Sequence, residues 1–540
     1  MLGVVLMLIG IGLRTVWAPP ETATARSAED TPASALTVLE PEVLQDRSGP
    51  VRIKATGEGN LLLAVGRDDD VDAWVADAAV TRLSGDGEAL AGERTEGESE
   101  VPFPAGSDLW VVEETGEGTV EYAYEPPAEG SWKVLLASES GQAPTAVEVS
   151  WDNDSTNPLA LPLIVLGALV AVLGAALGFL PGRGSGGRRA ADAPAGSRPP
   201  REKQEAGTAQ RRAVRPAAAL AALALAAVPA AGASAAGDEQ PAAAPVVLDS
   251  QLQRILEDVS ATVEAADAAS DPAALEARVA GAALAMRTAS YEVRAKAPDL
   301  PAQLPVAAEP VRARLVESTD AGEWPRRLLA VTQAEGQQVP QVLMLVQDSA
   351  RQNYRLTSAV GMLPGTTFPP VPAAGSGVDA VAADSAEGLG LSPSAAMDAV
   401  ADALTNPEGA NADTFAENTF AEAVTRFQSE VTANPENEFA TISFQHTAEQ
   451  NQTQALRTAD GGAVVTGYML HNYSSSPREA GDSINLRDTV YETLTGEAVT
   501  DTGIDVRYGE AVLLYLPPAD SGEQAQVIGA AQQLLNAVLK

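Results

Sequence analysis

His446 and His471 are the two imidazoles of a 540-residue chain. An imidazole has an unperturbed pKa of about 6.5, so it can take or give a proton near neutrality. Strand-like runs surround both. His446 shares alternate-residue parity with Ile442 and Phe444, and His471 with Val465 and Met469, which places each on the apolar face of a sheet. No nucleophile lies at a spacing that would make either a general base, so a satisfied histidine in the core or at its rim is the simpler reading. A second candidate is the acidic run Asp68, Asp69, Asp70, Asp72 and Asp77, because hard cations such as calcium need several carboxylate oxygens close together. In EF-hand register from Asp68 the sixth position is Ala73 where glycine is needed, and the twelfth is Ala79 where glutamate is needed. A solvated acidic turn entering a strand is the simpler reading of Asp68, Asp70 and Asp72.

Asp501-Thr502-Gly503 and Asp520-Ser521-Gly522 have the local form of paired aspartic-protease motifs, but they lie 19 residues apart. Two aspartates that share a proton come from separate lobes or chains, so Asp501 is read as a turn residue and Asp520 as the cap of a final helix. Trp74, Trp110, Trp132 and Trp151 could stack on sugars, yet at strand spacing they are expected in a core. The chain has no cysteine, which excludes disulfides, thiolate zinc sites, iron–sulfur clusters and a cysteine nucleophile, and two histidines leave little room for imidazole metal sites. No catalytic, cofactor-binding or metal-ligating residue is assigned, and no cofactor is expected. The net charge of -38 also excludes nucleic-acid binding, which depends on Lys and Arg neutralising phosphates.

Three apolar segments set the expected architecture. Residues 159–180 are 22 residues without a charge, which matches a hydrocarbon core of about 30 Å and predicts a transmembrane helix. The next stretch, 182–216, carries nine basic residues against three acidic ones, a net of +6. It predicts a disordered cytoplasmic loop over 182–215, with the regions on either side exported. Residues 1–18 read as a signal anchor or first transmembrane helix, although a signal cleaved near Ala25 gives the same topology. Residues 217–236 are mostly alanine and read either as a span or as an internal signal-like segment, with Arg211, Arg212 and Arg215 ahead of it and Ala233-Ser234-Ala235 as an A-x-A site.

Between these segments, residues 32–154 show short β-runs separated by Gly, Pro and acidic turns, which predicts an extracytoplasmic β-sandwich. From Asp249 the pattern changes to helices followed by antiparallel strands, an α+β order that recurs. It predicts tandem modules over 249–372 and 392–540, each resembling a cystatin-like or NTF2-like helix-on-sheet unit. The helix starts Asp271-Pro272 and Ser392-Pro393 carry the repeat, since each places a capping oxygen before a proline.

The alanine richness, 30 Arg against 5 Lys, and the layout of β-domain, span, Arg-rich loop, Ala-rich span and α+β domain resemble uncharacterised multi-pass membrane proteins of high-GC Gram-positive bacteria. Those proteins carry a C-terminal extracytoplasmic domain of unknown function. The resemblance implies a plasma-membrane location and transfers no catalytic residue. The expected function is a non-enzymatic envelope protein, crossing the membrane two or three times, whose exported domains bind or scaffold a protein, glycan or lipid. The alternative is an extracytoplasmic hydrolase or glycosyl-transfer accessory with paired carboxylates, which need only two acids about 5 to 10 Å apart.

Overall fold

The computed structural model describes residues 2–18, 20–45, 47, 49–85, 87, 89–153, 158–178, 244–318 and 324–540. In chain order, helix α1 (Leu2–Arg14) precedes strands β1 (Thr22–Ser27), β2 (Leu36–Leu39), β3 (Val51–Arg67), β4 (Val80–Ser84), β5 (Ala89–Thr95), β6 (Val112–Tyr124), β7 (Trp132–Ser138) and β8 (Ala146–Asp152). Short helices α2 (Pro41–Leu44) and α3 (Asp68–Val75) lie among them, and α4 (Ala160–Gly178) follows. The chain divides into two compact units, one holding α1 and α4, the other residues 20–154 and 241–540.

In the first unit, a Cβ on Gly3 would lie 2.5 Å from the backbone nitrogen of Ala171, and one on Gly10 would lie 2.8 Å from the carbonyl oxygen of Ala160. The two backbones therefore touch where only glycine fits, and the order of these contacts makes the pair antiparallel. Among the described residues no helix is long and apolar enough to cross a membrane. This corrects the expected multi-pass architecture, its membrane partner, and the plasma-membrane location with extracytoplasmic domains. α1, at 13 residues, rises only about 20 Å against a hydrocarbon core of about 30 Å. Hydropathy measures how apolar a segment is and not what covers it; here two apolar segments cover part of each other. The expected cytoplasmic loop 182–215 and the segment 217–236 lie outside the described residues.

The expected β-sandwich is instead a closed barrel. The strands follow the order β3-β7-β2-β4-β5-β1-β8, and β8 pairs back to β3, while β6 adds to the other edge of β3. Most pairs are antiparallel; β1–β5 and β2–β4 are parallel. The 17-residue strand β3 closes the ring because its register shifts between Thr56 and Asn60, with Gly59 at φ 76°. The first half of the strand then serves β8 and the second half β7. Such a bend lets one strand turn a barrel corner and meet β8 and β7 in turn. Ile53, Leu63, Val134, Leu136 and Val149 fill the interior. Leu62, Ala64 and Leu135 face outward and are covered by Val71, Trp74 and Val75 of α3, so β7 is buried on both faces along its length.

The second region begins with helices α5 (Asp249–Ala269) and α6 (Gly281–Lys296) and the strands β9 (Val311–Val316), β10 (Arg326–Thr332), β11 (Gln341–Gln347) and β12 (Arg355–Gly361). It continues with helices α7 (Pro393–Thr405) and α8 (Thr419–Ala433) and strands β13 (Ala440–Ala448), β14 (Gln454–Arg457), β15 (Ala463–Pro477) and β16 (Ile484–Asn485). Helix α9 (Val490–Thr495) and strands β17 (Val499–Thr500), β18 (Ile504–Leu516) and β19 (Gln526–Leu539) complete it. One antiparallel sheet runs β12-β11-β10-β9 and a second β13-β15-β18-β19, with β14 extending the β13 edge. The sheets pack face to face through Leu329, Met344, Val464, Leu513 and Ile528. α5 covers the outer face of the first sheet, and α7 with α8 covers the outer face of the second. The result is one helix–sheet–sheet–helix body with a shared core, in place of separate cystatin-like or NTF2-like modules each curled over its own pocket.

Two further corrections concern local structure. The expected final helix over 523–538 is the edge strand β19, because pairing with β18 along nearly its whole length overrides the helix propensity of its Ala, Gln and Leu residues. Asp271-Pro272 opens only a single 3-10 turn, and α6 begins at Gly281. On β15, a Cβ at Gly467 would lie 2.2 Å from Sδ of the fully buried Met397. Gly467→Ala is therefore expected to cost about 1–3 kcal/mol by overpacking, read as a lower urea midpoint.

The barrel and the second region meet through buried polar contacts. Asp70 of α3 pairs with Arg326 of β10, and both are almost fully buried. Asp108 accepts from Arg278 Nη1 at 2.5 Å and from the Tyr354 backbone N–H at 2.7 Å. Burial pushes both carboxyls up, and the neighbouring arginines pull them partly back. Gln251 and Arg254 donate to the carbonyls of Asp108 and Trp110, and Arg351 donates to those of Trp74 and Val75.

Candidate metal centre

His446 lies on β13 directly opposite His471 on β15, and His471 lies opposite Tyr508 on β18. Directly paired residues share a face, and side chains two apart along a strand do too. Glu510, two residues beyond Tyr508, therefore joins both histidines on the face turned toward α7 and α8. Glu510 Oε2 lies 3.6 Å from His446 Nε2, and Oε1 lies 3.4 Å from His471 Nδ1. One donor atom from each of the three side chains falls within 4.8 Å of the others.

All three are buried, His446 at 5%, His471 at 1% and Glu510 at 0% exposure. Four of their polar atoms, His446 Nε2, both ring nitrogens of His471 and Glu510 Oε2, have no hydrogen-bond partner. Leaving such atoms unpaired in a low-dielectric interior costs free energy that a native fold normally avoids. Burial pushes the Glu510 carboxyl up, but hydrogen-bonding interaction and charge from His446 and His471 more than offset it and hold it down at about 2. The separations are longer than the roughly 2.7–2.9 Å of a charge-assisted hydrogen bond, and the unpartnered atoms agree with that length. The imidazoles thus attract the carboxylate without satisfying it.

Neighbouring groups fix the donors. The Thr405 hydroxyl donates to the Ala401 carbonyl at 2.9 Å, accepts from the His446 backbone N–H at 2.8 Å, and lies 3.5 Å from His446 Nδ1. With its own proton committed, it can accept from Nδ1–H, and a tautomer with the proton there offers the Nε2 lone pair to a metal. Gln532 of β19 donates Nε2 to Glu510 Oε1 at 2.8 Å, so the unpaired oxygen is Oε2. The His471 ring stacks between His446, with centroids 4.1 Å apart, and Tyr508, 5.5 Å apart. Tyr508 in turn shares a 2.8 Å hydroxyl contact with Tyr491. Beside His471 is a cavity of about 380 Å³ lined by Leu363, Phe420, Val424, Phe427, Tyr508 and Gln532, among others.

The other sequence candidates serve structure. Asp68, Asp70 and Asp72 belong to α3 and not to a turn entering a strand. Asp68 and Asp72 lie 2.6 and 2.7 Å from Lys133 Nζ, Asp72 also pairs with Arg82 at 2.9 Å, and Asp70 is held by Arg326. Basic side chains thus take the places a cation would need. Trp74, Trp110 and Trp132 are core residues, and Trp151 lies under the Arg47 guanidinium, 4.0 Å from its ring centre. Asp501 and Asp520 are exposed. Sequence reasoning missed Glu510 of β18, Gln532 of β19 and Thr405 of α7.

Fold and cluster together define a class: a β-barrel joined to a four-layer helix–sheet–sheet–helix domain that buries two histidines and one carboxylate with open valences. Residues 243–538, more than half of the chain, match the family described as Domain of unknown function (DUF8094), and the chain belongs to that family. A C-terminal domain of unknown function is the part of the expected resemblance that this match shows. No curated protein and no solved structure matches the chain.

Proposed function

We propose that the DUF8094 region binds a divalent first-row metal, such as zinc or iron(II), through His446, His471 and Glu510. The observation that supports this most is the set of four unpartnered donor atoms on three buried, converging side chains. Two imidazoles and one carboxylate suit zinc or non-haem iron(II), and three protein ligands leave a coordination position open, unlike a closed structural site. The cavity beside His471 lies where an exchangeable ligand would enter. Of the two functions left open by the sequence, a binding protein is favoured over a hydrolase with paired carboxylates, because none of the residues lining this cavity is an acid.

We also read 249–372 and 392–540 as copies of one module. Each half runs two helices and then an antiparallel meander, and only the second copy carries the histidines. The 30 Arg against 5 Lys support a high-GC bacterial source.

The test is equilibrium dialysis of the full chain, stripped with chelator, against Zn²⁺ or Co²⁺. One metal per chain is expected; no saturable binding, or binding unchanged in His471→Ala, would overturn the proposal. Thr405→Val removes the acceptor facing His446 Nδ1 and is expected to weaken metal affinity about 10–100-fold, measured by competition with a chromogenic chelator.

A further inference from the structure

We propose that the cavity beside the cluster binds a small organic monoanion, a carboxylate with an apolar or aromatic body, whose oxygen completes the metal's coordination. This rests on the metal reading above and adds the class of ligand. The first argument is charge. A divalent ion held by two neutral imidazoles and one carboxylate leaves a net charge of +1 in a site whose ligands are 0–5% exposed. A buried uncompensated charge is costly, and none of the residues lining the cavity carries an acidic group. A single negative charge on the ligand supplies the balance, and a dianion would overshoot it.

The second argument is shape. α8 presents Phe420, Val424 and Phe427 to the cavity, and Leu363 closes another side. These offer rings and branched chains to an apolar body, not the hydrogen-bond donors that a sugar or a peptide backbone would require. The volume of about 380 Å³ is near the lower end of known ligand cavities, so it suits one small molecule and excludes a polymer. The third argument is the polar end nearest the cluster. His471 and Gln532 line the sheet side, and Gln532 is itself exposed while donating to buried Glu510. The polar end of the ligand therefore points at the metal, with the solvent approach beside Gln532.

The experiment uses the full chain loaded with Co²⁺, whose visible absorption reports its ligands, titrated with benzoate, acetate and neutral benzamide. The Co²⁺ affinity is measured first. Benzoate is expected to shift the visible bands and to bind at least about tenfold tighter than acetate, because only benzoate buries a ring. Benzamide, without the charge, should bind far more weakly. Ala530 lines the cavity and is not one of the three metal donors, so Ala530→Phe should fill the space and abolish the preference for benzoate at unchanged Co²⁺ affinity. If Co²⁺ binds but benzoate and acetate perturb it equally, or benzamide matches benzoate, the ligand proposal fails and the metal reading stands. If Co²⁺ does not bind at all, both fail. The comparison of the three ligands on the unaltered chain decides the matter even if the Ala530 variant does not fold.

Discussion

His446→Ala, His471→Ala and Glu510→Ala are each expected to abolish the proposed stoichiometric metal binding, the largest effect of any substitution in this chain. Each removes one of only three protein donors, and the two that remain cannot fix a coordination geometry. The consequence for stability differs from that of an ordinary buried ion pair. Metal added to the unaltered protein at 1,000 times its dissociation constant should stabilise it by about 4 kcal/mol, and the three variants should gain nothing. In chelator, Glu510→Met should lose no more than about 1 kcal/mol, since the lost attraction of the two imidazoles is offset by the removal of a buried carboxylate with an unpaired oxygen. If the three residues were a structural ion-pair network, Glu510→Met would lose about 3–5 kcal/mol in chelator. Thermal melts of parent and variant, each with and without metal, separate the two cases.

Asp70→Ala carries the second large effect. It leaves the Arg326 guanidinium, 6% exposed, buried without its carboxylate at the junction between the barrel and the second region. Removing one partner of such a pair costs about 3–5 kcal/mol, whereas replacing both by apolar residues of similar volume is often neutral. Asp70→Leu combined with Arg326→Met should therefore recover most of the loss, as read by urea midpoints. A loss below about 1 kcal/mol for Asp70→Ala would show that solvent reaches the pair and screens it. Asp108→Ala should cost less, because Arg278 keeps Asp258 at 3.0 Å while the Tyr354 N–H loses its acceptor.

The β-runs near 51–55, 61–65, 120–124, 132–137 and 146–151 fall within strands, whereas 109–113 meets β6 only from Val112; alternation and turn residues are local signals. That 51–55 and 61–65 form one bent strand is not local; it depends on which partners each half meets. The acidic run at Asp68 was legible as a helix in one respect, since Val71, Trp74 and Val75 are spaced for one buried helical face, but the aspartates drew the reading toward a turn. Closure of the barrel and the pairing that makes Gln526–Leu539 a strand are tertiary outcomes that propensity cannot report. Parity placed both histidines on the apolar face of the second sheet. Glu510 became visible only when that strand extended back to Ile504, where the alternation of Val506, Tyr508, Glu510 and Val512 puts an acid among inward-facing residues.

The most direct test is anomalous diffraction from crystals of the metal-loaded chain, recorded at the absorption edge of the metal. One peak is expected, about 2.0–2.2 Å from a ring nitrogen of His446, a ring nitrogen of His471 and an oxygen of Glu510. A site without anomalous density, with Glu510 drawn into hydrogen bonds of about 2.7–2.9 Å to both imidazoles, would contradict it.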